Sequence, residues 1–402
     1  PFGASLCLVL AGFLFSKYLY HQNFLTLGDF YRKRYDRKIE ILTSIAILIS
    51  YLGWVAAQIK ALGLVIHILS EGQIAESTGM ILGTLIVVSY TALGGMLSVA
   101  ILDFIQMIVV ISGLLFIGWT VSEMTGGIDV VINHARLNNK LDFWPKGDIY
   151  TWITFFGVWI TLMLGSIPQQ DVFQRITSAK SAKIAFWGSV FGASIYFVFT
   201  FVPMFIAYSA TLIDPEHFQN IMEFDSQFVL PEFVIKYTHP FAQIVFFGAV
   251  TSAIMSCSSA TLLAPSVTFA ENVIRPLRPN MSDKEFLRVM RICLVIFSGC
   301  VLLYALSSNL TIFGMVESAY KITLAGAFTP LVFGIFWKKA NHHGALAAII
   351  LGIGSWAGLE IIYGDLLLIP AQLIGLVISM LAMIIVSQLT QSLSLTLTTK
   401  KT

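Results

Sequence analysis

The chain has 402 residues, of which 57% are hydrophobic and 11% charged, with a formal net charge of +2. A soluble domain carries roughly a quarter of its residues as charges, so this composition excludes an ordinary globular protein and points to a polytopic membrane protein. Cys7, Cys257, Cys293 and Cys300 all fall in apolar runs without CxxC spacing, which argues against structural disulfides.

Hydropathy places eleven candidate spans, near 2–20, 41–70, 78–95, 97–121, 150–168, 184–212, 240–270, 287–307, 311–337, 343–363 and 367–390. The chain opens at Pro1 with no cleavable signal pattern and reads as beginning partway through a larger protein. The loop after the first span holds Arg32, Lys33, Arg34, Arg37 and Lys38, whereas the next, around Glu71 to Glu76, has no basic residue. In alternation, the basic clusters around Arg175–Lys183, Arg275–Arg291, Lys338–Lys339 and Lys400–Lys401 fall on the same side as the first. Only Arg136, Lys140, Lys146 and Lys236 fall opposite. The asymmetry predicts an external N-terminus and a cytoplasmic C-terminus.

Span two carries Gln58 and Lys60 in its interior, where a lysine has no helix end to reach. Thr91 to Gly95 is a short connection in which Gly94 and Gly95 allow a turn between spans three and four. Asp103 stands near the cytoplasmic start of span four. Two readings stand for it, an interfacial acid solvated from the cytoplasm or a carboxylate at the mouth of a cation path. The loops 125–148 and 214–239 are long and polar, the second with a short amphipathic helix around Phe228 to Ile235. Gly165, Ser166 and Pro168 close span five and predict a broken helix, tolerated at membrane depth only where freed backbone lines a cavity.

Span seven is dense in hydroxyls: Thr251, Ser252, Ser256, Ser258, Ser259 and Thr261 surround Cys257, and Pro265 is expected to break its ladder before Glu271 and Arg275 mark the exit into water. Ala253, Ser256 and Cys257 share one helix face, where a carbonyl and two polar side chains can hold a small hard cation. Small-residue helix packing explains the same composition. Glu317 and Lys321 in span nine have the spacing of a helical ion pair. No histidine spacing suits a metal, and nothing resembles a nucleophile with its base, a phosphate loop or a nucleic-acid patch, so no enzyme is expected.

Five stretches together resemble the sodium:solute symporter family: LTLGDFYRKRY (25–35), YTALGGMLSVAILDFIQ (90–106), PQQDVFQRITSAKSAK (168–183), SAIMSCSSATLLAPS (252–266) and AGAFTPLVFGIFWKK (325–339). The resemblance implies an all-α polytopic membrane protein with a LeuT-type 5+5 inverted repeat that lacks its first core helix. Residues 1–121 would be the remainder of the first repeat, 149–337 the second, and 343–390 two additional C-terminal helices, all in one transmembrane domain. It implies that the 402 residues alone do not transport.

The family's sodium site falls on Ala253, Ser256 and Cys257, with Asp103 at its inner exit. Cys257 departs from the usual Ser or Thr, and a thiol is a poor ligand for a hard cation. Trp54, Gln58, Gly165, Ser166, Gln169 and Glu317 are the implied solute contacts. No aromatic gate residue of the sugar-transporting branch precedes Pro168. The expected activity is sodium-coupled symport of a small polar organic solute, an amino acid, carboxylate or similar, in a plasma membrane. No cofactor beyond the coupling sodium ion, and no nucleic acid or obligate protein partner, is expected. A proton-coupled carrier using Glu317 and a non-transporting membrane sensor are the alternatives.

Overall fold

In the computed structural model the described residues are 2–22 and 24–399, apart from the placement of 93–99, Phe224, Asp365 and 392–399 within their helical elements. Every element among them is helical. Helix α1 covers Phe2–Tyr20. It is followed by the short α2, Leu27–Arg34, which the sequence pattern did not reveal. Thr26 and Asp29 start α2 with a reciprocal capping box, satisfying donors that a helix of eight residues can least leave open. Asp36 then caps α3, Arg37–Leu69.

Helix α4 is Glu76–Thr125, and the turn expected at Gly94 and Gly95 falls on 93–99, outside the described residues. Next come α5, Ile128–Leu137, and a helix broken as expected into α6, Ile149–Gly165, and α7, Gln170–Thr177, at 47° to one another. Helix α8 is Ala182–Ile213. The long loop after it holds two helices instead of one, α9, Pro215–Asp225, and α10, Val229–Tyr237. The remaining helices are α11, Pro240–Leu277, α12, Asp283–Ser307, α13, Ile312–Phe336, and α14, His342–Tyr363. The last is α15, Ala371–Thr399.

Nine of these helices among the described residues are long and apolar enough to cross a membrane, ten with α6 and α7 as one broken span. The other expected span, 78–95, is the first part of α4 and runs into 93–99. Burial sorts centre from periphery: 61% of the apolar window of α3 and of α13 is buried, against 11% for Ala100–Thr125 and for α8. Trp119, Val198, Ile244 and Leu303 point large apolar surfaces outward, an arrangement that suits lipid and not water. Helix α3 packs on α4, α11, α12 and α13, so it is the post against which the site is built.

Pro265 does not break α11, contrary to expectation; it is buried within Pro240–Phe269, and the chain departs from α-geometry only beyond it, in the π-turn Ala270–Ile274 and the 3-10 turn Arg275–Leu277. A proline inside a membrane helix is tolerated when neighbours satisfy the freed carbonyls. Here the freed carbonyl is that of Thr261, and Ser266 Oγ donates to the neighbouring Leu262 carbonyl at 2.7 Å. Glu271 and Arg275 do mark the exit, paired at 2.7 Å.

Helices α9 and α10 close on each other through Phe218 and Phe233, both fully buried with ring centroids 5.8 Å apart. Asp214 ties the hairpin, accepting from Tyr237 Oη at 2.5 Å and from Lys236 Nζ at 3.3 Å. The Tyr237 hydroxyl is the main cause holding the Asp214 carboxyl below its usual range, against opposing desolvation. A depressed carboxylate contributes stability above its unfolded pKa and loses it as pH falls through the folded value. Limited proteolysis of this hairpin should therefore show protection that is constant above about pH 4 and lost below it. Tyr237→Phe should lower the protection at neutral pH and flatten its loss on acidification.

Candidate ion and solute site

Helix α11 brings its hydroxyls into the middle of the bundle, and most satisfy themselves. Ser258 donates to the Ile254 carbonyl, Thr261 to Cys257 and Thr268 to Ala264, each one turn back. Ser256 does not. Its hydroxyl donates across to Asp103 Oδ1 at 2.5 Å, a charge-assisted bond between α11 and α4. Asp103 is 23% exposed and is engaged from both sides, by Ser256 and by Arg175.

From Asp103 a chain of contacts runs to the broken helix. Arg175 on α7 reaches Asp103 Oδ2 at 3.4 Å and Asp171 Oδ2 at 3.3 Å. Asp171 Oδ1 accepts from Tyr51 Oη at 2.5 Å, and the same hydroxyl accepts the Asp171 N–H at 2.9 Å. That N–H lies in the first turn of α7, where a helix has no internal acceptor, so Tyr51 on α3 caps the inner half of the break. Arg175 is 55% exposed, so its two pairs are screened and worth at most about 1 kcal/mol each. They are contacts that can be exchanged, not a source of stability.

The break itself rests on α13 and α3. Gly165 lies so close to α13 that an added Cβ would stand 2.5 Å from the Tyr320 carbonyl oxygen. The carbonyl of Gly165, freed by the break, accepts from Thr323 Oγ1 at 2.7 Å. Because Thr323 spends its proton there, it accepts from Gln169 Nε2 at 3.4 Å, and the same amide donates to Ser50 Oγ at 2.8 Å. Gln169 Oε1 remains a buried acceptor with no partner. Ser166 donates back to Leu162 and lies beside Cys7 and Tyr320. The Trp54 and Tyr320 rings face each other at 5.2 Å, and Cys257 sits beside Trp54, Asp171 and Arg175.

The structure thus gathers Trp54, Gly165, Ser166 and Gln169 in one cluster and Asp103, Ser256 and Cys257 in an adjoining one, with Ala253 one turn back from Cys257 on α11. It does not bring in Glu317 or Gln58. Glu317 is 3.8 Å from Lys321, whose nearer partner is Glu360 on α14 at 2.9 Å. Gln58 is half-buried and makes no hydrogen bond to either cluster among the described residues. Lys60 donates to the Leu310 carbonyl at 2.8 Å instead of entering the interior. Sequence reasoning missed Tyr51, Tyr320, Thr323 and Ser50, which carry no pattern of their own. Asp171 and Arg175 stood i, i+4 in a motif already noticed and were the signal left unread.

The family model of the sodium:solute symporter family matches residues 1–352. The chain belongs to the sodium:solute symporter family. High affinity choline transporter 1 of Homo sapiens is 29% identical over 376 residues, covering 88% of this chain and 61% of that transporter. The osmoregulated proline transporter OpuE of Bacillus subtilis is 26% identical over 383 residues, covering 91% of this chain and 74% of OpuE. This chain therefore spans about three-fifths of the length of the choline transporter. A solved structure of a Na+-coupled sialic acid symporter in a substrate-bound outward-open state superposes with a TM-score of 0.80 at 20% identity, over 96% of this chain and 82% of that one. The fold is the one expected of a symporter in this family, and the protein is an integral, multi-pass membrane protein.

Two substitutions test the packing of the break. Gly165→Ala should destabilise the protein by about 1–3 kcal/mol through overpacking against Tyr320. Thr323→Val should cost about 1–3 kcal/mol by orphaning the Gly165 carbonyl. Thermal unfolding in detergent measures both, with Gly192→Ala, where an added Cβ meets nothing within 4 Å, as the neutral control.

Proposed function

We propose that this protein is a secondary active transporter that couples inward sodium flow to uptake of a small polar organic solute by alternating access. The observation that carries the reading is the hydroxyl of Ser256 on the carboxylate of Asp103. Two hard oxygen donors from different helices meet there, one step from the broken helix whose freed backbone marks a binding site. Sodium is the cargo at Ala253, Ser256 and Asp103. The thiol of Cys257 lies against Trp54, and its poor affinity for a hard cation leaves the ion to the oxygen donors. The solute lies against Trp54, Gly165 and Ser166, with the unpartnered Gln169 Oε1 as an acceptor for one of its donors. The relatives' names, choline and proline transporters, support a small organic solute with an ammonium or amine group.

The membrane potential supplies about 2.3 kcal/mol per charge per 100 mV, so one sodium ion suffices to concentrate a neutral solute. The C-terminus lies in the cytoplasm, under the basic loops, and the membrane is the plasma membrane. Residues 1–121 and 149–337 are the two repeats of one domain, with 343–390 added to it.

Uptake of labelled choline, proline and related solutes by the full-length parent protein in proteoliposomes, with and without a sodium gradient, tests the reading. Sodium-dependent uptake is expected. Ser256→Ala and Asp103→Asn should each raise the sodium concentration for half-maximal uptake roughly tenfold or more, the value of one charge-assisted contact. Glu317→Gln should leave the sodium dependence in place. Uptake driven by a proton gradient alone and abolished by Glu317→Gln would replace this reading with proton coupling.

A further inference from the structure

The short helix α2, which the proposed transport cycle does not use, grips the inner ends of four other helices. Tyr31 Oη donates to the Ala327 carbonyl at 2.8 Å, and Arg34 reaches the Gly334 and Trp337 carbonyls at 2.8 and 3.1 Å, so α2 lies on α13. At its other end, the Leu27 N–H donates to Gln170 Oε1 at 2.8 Å, and Gln170 Nε2 donates to the Leu25 carbonyl at 3.3 Å, which fastens α2 to the start of α7. Between these lies a buried junction with Asn272 at its centre. Asn272 Oδ1 accepts from Thr26 Oγ1 at 2.7 Å, and its Nδ2 donates to Asp29 Oδ1 at 3.1 Å and to Glu40 Oε1 at 2.9 Å. Asn272, Gln170, Glu40 and Thr26 are all fully buried.

We propose that Asn272 is the residue that couples occupancy of the ion helix to closure of the inner face. The inference rests on the symport reading above. Asn272 and Ser256 belong to the same helix, α11, sixteen residues apart, or about 24 Å along its axis. The π-turn Ala270–Ile274 contains Asn272 and sets the register in which its amide reaches α2 and α3 together. The contact is close: an added Cβ on Gly28 would stand 2.6 Å from the Asn272 amide. A shift of α11 at Ser256 is therefore delivered to α2 as a movement of an amide with both its donors and its acceptor engaged.

The junction is also built to part. Glu40 Oε2 is buried with no hydrogen-bond partner among the described residues and has Arg32 Nε at 3.8 Å. A buried carboxylate satisfied on one oxygen keeps much of its desolvation cost, so the closed arrangement holds little surplus stability. Once Asn272 withdraws, both Asp29 and Glu40 gain water. Because α2 holds α7 through Gln170, the same event frees the inner half of the broken helix.

Cys257 serves as the reporter, because it follows Ser256 on α11, the helix that carries Asn272 at its inner end. In the protein with Cys7, Cys293 and Cys300 replaced by Ser, the rate of Cys257 alkylation by a membrane-impermeant maleimide applied to the cytoplasmic face is measured with and without sodium. Sodium should slow alkylation in that background. Asn272→Ala and Gly28→Ala should each raise the rate about tenfold, equivalent to ~1.4 kcal/mol of closure, and should abolish the effect of sodium. Gly28→Ala keeps every side chain of the junction and acts only as a wedge, so it separates opening from loss of polar groups. Thermal unfolding of both variants identifies misfolding, for which Glu40→Gln, which keeps the acceptor for Asn272, is the substitute expected to retain sodium protection. Protection that survives unchanged in folded Asn272→Ala and Gly28→Ala overturns the coupling role and leaves the symport reading intact. No sodium effect in the starting background overturns both.

Discussion

The arrangement depends on one shared cation. Arg175 stands between Asp103 and Asp171, and those two carboxylates come from elements that must both be near the ion helix for the site to exist. Without the guanidinium, two like charges would be left without a shared counter-ion. With it, α4, α7 and α11 are linked through side chains alone: Ser256 to Asp103, Asp103 to Arg175, Arg175 to Asp171. Tyr51 then fixes the far end on α3, the most buried of the long helices together with α13. Side-chain links of this kind can be remade without melting a helix, which is what a site that alternately opens and closes requires.

The broken helix poses the complementary problem. A break frees backbone groups in a region with no bulk water, and each needs a partner. The protein supplies them from the two central helices: Thr323 takes the Gly165 carbonyl and Tyr51 takes the Asp171 N–H. Gly165 is what lets α6 come near enough for the first of these. Gln169 completes the frame and retains one acceptor, Oε1. The break is thus held at its flanks and polar at its centre.

The sequence made some of this legible and hid the rest for physical reasons. Span positions, the broken helix and the family were readable, because apolar length and the Gly165–Ser166–Pro168 run are strong local signals. The hydroxyl-rich stretch was readable as a candidate but not as a site. Ser258, Thr261 and Thr268 prove self-satisfied, whereas Ser256 is distinguished only by Asp103, 153 positions away. Pro265 misled because a proline's effect depends on what surrounds the ladder, here Ser266 and close-packed neighbours. Helix α2 has eight residues, too few for periodicity to stand out from a basic loop. Glu317 and Lys321 were readable as a helical pair from their spacing, but Lys321's nearer partner, Glu360, lies on another helix that no spacing rule connects to it.

Helix α11 shows how one element can serve two ends of a membrane protein. Its middle is apolar and rich in hydroxyls, of which Ser258 and Thr261 bond back to their own helix while Ser256 reaches across to Asp103. Its inner end must recognise two carboxylates and a hydroxyl in one place. An aspartate at 272 would add a third negative charge to Asp29 and Glu40, and a lysine would pair with them too firmly to release. Asparagine offers donors to the acids and an acceptor to Thr26 while remaining neutral, so the junction carries direction without adding a charge to bury. The stretch of α-helix between them is stiff on the scale of its length, so a displacement at the ion site need not be relayed residue by residue through the bundle. It arrives at the inner face as the motion of the helix itself.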